Sequence, residues 1–224
     1  MGTMIALTAS DGHELSAYRA DPEGKPRGGI VVIQEIFGVN GHIREGADGY
    51  AAAGFLAVAP ALFDRTQRDA ELGYTPEDIQ EGLRLRAIPV ESVLADISAA
   101  AAVARTAGKV GTVGYCWGGF LSAASAINLA GEVDACVGYY GGGIAQSLLD
   151  QSPRVPLMLH FGEHDHAIPL EDVEKVKAAF SDTPVYVYAG AQHGFECDQR
   201  ASYHAHSARL ALSRTLRFFI ENVG

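Results

Sequence analysis

Cys116 stands in Gly114-Tyr115-Cys116-Trp117-Gly118-Gly119, directly after a β-branched run at residues 110–113 and before an apolar stretch that starts near Phe120. This is the pattern G-x-S-x-G with cysteine for serine, in the strand-to-helix context that a nucleophile elbow requires. The glycines have a physical reason. A sharp strand–helix turn crowds the backbone, so the flanks of the nucleophile must lack a Cβ while its own side chain is pushed into the open. The following helix aims free N–H groups and the positive end of its dipole at the sulfur, which favours a thiolate and a developing oxyanion. A cysteine buried as a small hydrophobe is the plainer alternative, and it leaves the glycines unexplained.

Such a nucleophile needs a base, and the base needs an orienting acid. Asp165 follows the apolar run 157–161 in Phe161-Gly162-Glu163-His164-Asp165-His166, and His193 follows the run 185–188 in Gly190-Ala191-Gln192-His193-Gly194-Phe195. The order nucleophile, acid, histidine, with separations of 49 and 28 residues, is that of the α/β-hydrolases. An oxyanion hole then uses the N–H of Trp117 and one from the loop after the early run 29–33, Gln34-Glu35-Ile36-Phe37-Gly38, with Ile36 the second donor. Glu35 is the odd member of that loop. A carboxylate directly after a buried strand and near a thiolate is costly unless it has a partner or a purpose.

The remaining histidines are weighed as metal ligands. His164 with His166, and His204 with His206, are i, i+2 pairs that do not by themselves supply a convergent shell, so they read as solvated side chains. His160 sits inside a strand as a core or near-site histidine. No metal and no cofactor is expected.

These loops need a scaffold. Residues 3–8 and 15–20 form an antiparallel pair joined across Asp11-Gly12 and are expected at a sheet edge. Solid apolar blocks at 29–33, 55–59, 110–113, 135–139, 157–161 and 185–188 predict strands covered on both faces, hence a mostly parallel sheet. Helical periodicity is clearest at 91–105, with Val93, Leu94, Ile97, Ala100, Ala101 and Ala104 on one face. It recurs at 207–222, with Leu212, Leu216, Phe219 and Val223 on another. Residues 64–89 break the rhythm and read as an excursion over the C-terminal edge of the sheet. The β-α alternation predicts one α/β domain over residues 1–224, with helices on both faces.

Composition narrows the function. The 17 basic against 27 acidic residues leave a net charge of −10, the wrong sign for gripping nucleic acid or anionic lipid. Residues 110–131 carry no charge and could span a bilayer by length, but their glycines suit strand, turn and buried helix instead. Three cysteines, Cys116, Cys136 and Cys197, are too few for a disulfide framework, and no leader is read at the N-terminus, so a reducing, cytoplasmic location is expected.

Taken together, Gln34-Glu35-Ile36-Phe37-Gly38, the Cys116 elbow, Gly138-Tyr139-Tyr140-Gly141, Asp165 with Ile168-Pro169, His193-Gly194-Phe195 and Arg214-Thr215-Leu216-Arg217-Phe218-Phe219 resemble the dienelactone hydrolases (carboxymethylenebutenolidases) of the α/β-hydrolase superfamily. The resemblance implies a cofactor-free hydrolase of a small ester or enol-lactone, acting as a monomer or small homo-oligomer. Cys116 would attack the carbonyl, His193 would move protons, Asp165 would orient His193, and an acyl-thioester would be hydrolysed by water. It further implies that Glu35 takes the thiol proton when substrate binds, and that Tyr139 lies near the substrate.

One departure from the family pattern bears on substrate. The arginine that binds the substrate carboxylate stands four residues past the catalytic histidine in that family, where this chain has Cys197. Arg200, Arg84 and Arg86 are candidates to replace it, and Tyr74 is a further substrate-binding candidate. Cys197 is read as a packed loop thiol, with a redox-sensitive neighbour of the site as the alternative. A ligand-binding module without turnover is the competing functional reading.

Overall fold

A computed structural model describes residues 2–224. The strands are β1 (Thr3–Thr8), β2 (Glu14–Ala20), β3 (Gly29–Ile33), β4 (Leu56–Pro60), β5 (Val110–Tyr115), β6 (Ala135–Tyr139), β7 (Leu157–Gly162) and β8 (Val185–Tyr188). The helices are α1 (Gly41–Ala52), α2 (Pro76–Leu85), α3 (Val90–Ala104), α4 (Trp117–Asn128), α5 (Ile144–Ser147), α6 (Leu170–Ala179) and α7 (Ala205–Asn222).

All eight strands lie in one sheet, ordered β1-β2-β4-β3-β5-β6-β7-β8. The β1/β2 and β2/β4 pairs are antiparallel and the rest are parallel. Every residue of β3, β4, β5, β6 and β7 is buried, as unbroken apolar runs require when helices cover both faces. The first hairpin does sit at the edge, but only β1 is the edge strand, because β2 pairs with β4.

Register brings the chemistry to one rim. Ile33 pairs with Gly114, Tyr115 with Tyr139, Tyr139 with His160, and Gly162 with Tyr188. The ends of β3, β5, β7 and β8 are therefore level, and the four loops that carry Glu35, Cys116, Asp165 and His193 leave the sheet on the same side. Strand order reverses at β3, the switch point where open α/β sheets bind ligands.

Helix α3 buries all six apolar residues expected of it and adds Asp96, which accepts two hydrogen bonds from Arg65 at 2.7 Å. Helix α7 departs from expectation. Its buried stripe is Ala208, Ala211, Thr215, Phe218 and Phe219, while Leu212 is exposed and Leu216 half-buried. Small residues let the helix lie close on the sheet, and the larger leucines fall on its outer flank. The excursion also contains a helix that was not anticipated. Thr75 accepts from the Asp78 N–H at 3.2 Å, Asp78 accepts from the Thr75 N–H at 3.0 Å, and Pro76 follows the cap, so α2 starts on a full capping box.

Candidate active site

The elbow is as tight as its glycines imply. Cys116 has φ 54° and ψ −113°, a region that costs an L-residue about 1–3 kcal/mol and persists only where the surroundings impose it. The surroundings are close. A Cβ on Gly114 would run into the Gly118 carbonyl, and one on Gly118 would run into the carbonyls of Ile33 and Gln34. The Cys116 N–H donates to Tyr139 at 3.0 Å, and its carbonyl accepts from Gly119 and Phe120. Cys116 is the one partly exposed thiol, whereas Cys136 and Cys197 are buried.

Asp165 and His193 are hydrogen-bonded, and the elbow brings Cys116 close enough for its charge to bear on the imidazole. Asp165 Oδ1 accepts from the Ala167 N–H at 2.9 Å, which fixes the carboxylate, and Oδ2 lies 2.8 Å from His193 Nδ1. Burial alone pushes His193 down, but the charge of Cys116 and the hydrogen bond to Asp165 outweigh it and lift the imidazole from 6.5 to about 10.

Trp117 opens α4, and neither its N–H nor that of Ile36 makes a hydrogen bond among the described residues. Gln34 clamps the β3 loop by accepting from the Leu62 N–H at 3.0 Å and donating to the Glu35 carbonyl at 3.2 Å. Both oxyanion-hole candidates thus sit on rigid backbone beside the elbow.

Glu35 is buried, and its partner is Arg200, which donates from Nη1 to Oε1 at 3.2 Å. Of the three candidate arginines, Arg200 is the one that the fold brings to Glu35. Its guanidinium lies over the rings of Phe37 (5.6 Å) and Tyr74 (5.8 Å), and it fills the space where a Cβ on Gly194 (φ 74°) would be. Burial pulls Arg200 down, yet the charges of Glu35, Tyr140, Cys116 and Cys197 raise it, so it stays cationic within reach of the sulfur.

Two substrate-binding expectations are corrected. Arg84 is on the exposed face of α2, bound to Glu81 one turn away, and Arg86 is exposed at the end of the same helix. A helix shows only one face to the site, and Gly82 takes that place, packed under the Ile36 carbonyl. Tyr139 is fully buried, with its hydroxyl 2.6 Å from Thr215 of α7, so it belongs to the core. The next residue, rather than Tyr139, is the tyrosine that packs on His193. Tyr140 has φ 38°, turns its ring edge to His193 at 5.1 Å, and keeps a buried hydroxyl with no partner. Tyr74 does border the site, accepting from Asn40 Nδ2 at 3.2 Å and from Cys197 Sγ at 3.4 Å.

Behind Glu35 lies a layer that the sequence did not disclose. His42, in the first turn of α1, has Nε2 3.2 Å from Glu196 Oε2 and Nδ1 4.0 Å from Asp198. Burial lowers this imidazole, but the neighbouring Cys197 and Glu196 outweigh it and raise it to about 11. The contact to Glu196 is off the hydrogen-bonding line, which leaves Oε2 buried without an aligned donor.

A mostly parallel sheet with a strained cysteine elbow at its C-terminal rim, followed by an acid loop and a histidine loop, is the α/β-hydrolase fold. The dienelactone hydrolase family model matches residues 15–223. A carboxymethylenebutenolidase of Pseudomonas putida is 36% identical over 225 residues, covering 96% of this chain and 94% of that protein. One from Pseudomonas knackmussii matches to the same extent. A crystal structure from Klebsiella pneumoniae, described as a dienelactone hydrolase, superposes with a TM-score of 0.83 at 31% identity, covering 97% of this chain and 98% of that one. The chain belongs to the dienelactone hydrolase family and is a hydrolase, which sets aside the ligand-binding module.

Proposed function

We propose that this enzyme hydrolyses a small carboxylate-bearing ester or enol-lactone through Cys116, His193 and Asp165. The observation that carries the reading is a partly exposed thiol on a strained elbow whose charge bears on an imidazole held by Asp165 at 2.8 Å. The thiolate attacks the carbonyl carbon, and the oxyanion that forms is received by the N–H groups of Trp117 and Ile36. Collapse breaks the acyl C–O bond, and the departing oxygen takes the proton held by the His193 imidazolium. Water then attacks the thioester, gives its proton to His193, and releases the acid and the Cys116 thiolate.

Arg200 supports a substrate that carries a carboxylate, because a desolvated carboxylate requires a charged partner. Its arrival competes for the guanidinium that now holds Glu35, and the freed Glu35 becomes the acceptor for any proton left on Cys116. Tyr140, with the orphan hydroxyl beside His193, is a further donor available to the bound ligand. The names of the Pseudomonas relatives accord with an enol-lactone substrate. We read the chain as one domain that needs no cofactor, nucleic acid or membrane and works as a monomer or small homo-oligomer. Among the described residues no single helix is long and apolar enough to cross a membrane. The three free thiols suit a reducing compartment such as the cytoplasm.

The test is turnover of p-nitrophenyl acetate and of a carboxylate-bearing enol-lactone by the native enzyme and by Cys116→Ala. Hydrolysis that vanishes with the thiol is expected, with a thioester adduct of acyl mass detected on the native protein under rapid quench. Turnover that survives Cys116→Ala overturns the mechanism.

A further inference from the structure

We propose that Glu35, His42 and Cys197 form an inhibitory binding site for a thiophilic divalent cation of the zinc class. The three residues come from the β3 loop, α1 and the loop after β8, and all are buried. Their ligating atoms, one each of carboxylate oxygen, imidazole nitrogen and thiol sulfur, lie within 4.8 Å of one another. Tetrahedral zinc bonds of ordinary length separate such atoms by about 3.5 Å, so side-chain movements of roughly an ångström close the shell. Thiolate with imidazole selects Zn²⁺, Cd²⁺ or Co²⁺ over Mg²⁺ and Ca²⁺, which take oxygen ligands. Three protein ligands leave a fourth position open.

Two further observations point to a cation. Glu196 and Asp198 flank the two ring nitrogens of His42 at 3.2 and 4.0 Å, so whichever nitrogen ligates, the other keeps a carboxylate neighbour, as zinc-bound imidazoles do. Glu196 also carries the buried oxygen that lacks an aligned donor. A cavity of about 280 Å³ reaches His42, the one member of the cluster in its lining, together with Glu45, Glu196 and Asp198. Those carboxylates concentrate cations at its mouth.

Binding displaces the thiol proton of Cys197 and the proton of His42 to solvent, and it draws Glu35 away from Arg200. The ion is therefore an inhibitor rather than a cofactor. The inhibition, though not the binding, rests on the role proposed above for Glu35.

The experiment uses Co²⁺ on Cys116→Ala, which removes the catalytic sulfur as a competing ligand and leaves Cys136 sealed in β6. One equivalent of Co²⁺ should give tetrahedral visible bands and a near-ultraviolet sulfur-to-cobalt charge-transfer band. Adding Cys197→Ser should abolish the charge-transfer band. Adding His42→Gln instead should weaken binding by more than the roughly 10–100-fold that an outer carboxylate is worth. Circular dichroism verifies that each variant is folded, and either variant suffices if the other is not. Absence of the band in Cys116→Ala, or its survival in Cys197→Ser, overturns the site. On the native enzyme, micromolar Zn²⁺ should suppress esterase activity and a chelator should restore it. Stoichiometric binding with undiminished turnover keeps the site but overturns the inhibition and, with it, the part assigned to Glu35.

Discussion

At the scale of single residues, His193 links charge to rate. Its imidazole is raised from 6.5 to about 10, with the charge of Cys116 the largest of the raising causes and the hydrogen bond to Asp165 next. A group whose folded value lies above its unfolded one contributes stability fully below pH 6.5 and loses it as pH rises toward 10. Activity follows the same proton, because the leaving oxygen needs it. The expected profile falls on the alkaline side near pH 10, and in Cys116→Ala the His193 resonance, followed by NMR, should titrate well below that value. An unchanged titration in the variant would remove the sulfur as the cause. His193→Ala should cost about a hundredfold or more in kcat.

Arg200 makes a separate residue-scale prediction. Its contacts run to Glu35, Phe37 and Tyr74, and it takes no part in the hydrogen bond between Asp165 and His193. Arg200→Gln should raise KM for a carboxylate-bearing enol-lactone by about tenfold or more, the scale of one charge-assisted hydrogen bond, and change p-nitrophenyl acetate hydrolysis much less. Equal losses on both substrates would make Arg200 a structural partner of Glu35 and nothing more.

Among the elements, α3 is tied to the start of the excursion by a buried pair. Asp96 is fully buried, and burial raises its carboxyl even with Arg65 alongside, which says that desolvation outweighs the attraction. Such a pair specifies position more than it stabilises, but breaking one side is expensive because the other charge is stranded. Arg65 retains Asp11 at 2.8 Å, which places Asp96→Asn at the low end of the usual range, a loss of about 3 kcal/mol measured by urea unfolding. A loss under about 1 kcal/mol would mean that Asp11 alone satisfies Arg65. The loop Leu62–Arg65 that this pair anchors is the one whose Leu62 N–H holds Gln34, so the damage should reach the oxyanion loop as well.

For the molecule as a whole, acid stability is expected to depend on a buried histidine that takes no part in the proposed chemistry. His160 is fully buried in β7, between the hydroxyls of Tyr188 at 2.9 Å and Thr215 at 3.2 Å. Burial, helped by the charge of Arg214, lowers it from 6.5 to about 3. Between those values the unfolded chain binds a proton that the folded chain refuses, so stability falls as pH drops from 6.5 toward 3. The urea midpoint of the native protein should decline over this window, and that of His160→Gln should decline less. Parallel declines would place the acid sensitivity elsewhere.

What the sequence by itself determined was everything carried by local pattern. The strand blocks, the α3 stripe, the Cys116 elbow and the order of Asp165 and His193 rest on chain direction, glycine spacing and solid apolar runs, which act within a few residues. Helix α2 was equally legible in Thr75-Pro76-Glu77-Asp78 and was masked by the polar composition around it. Tertiary structure decided what depends on which way a side chain turns. Tyr139 and Tyr140 differ by one position and by a positive φ, and only the fold sends the first to Thr215 and the second to His193. Arg200 reaches Glu35 because a glycine at 194 leaves room for its guanidinium, a contact that no spacing rule contains. The cluster of Glu35, His42 and Cys197 joins residues more than 150 positions apart, and convergence over such distances is set by sheet order and register alone.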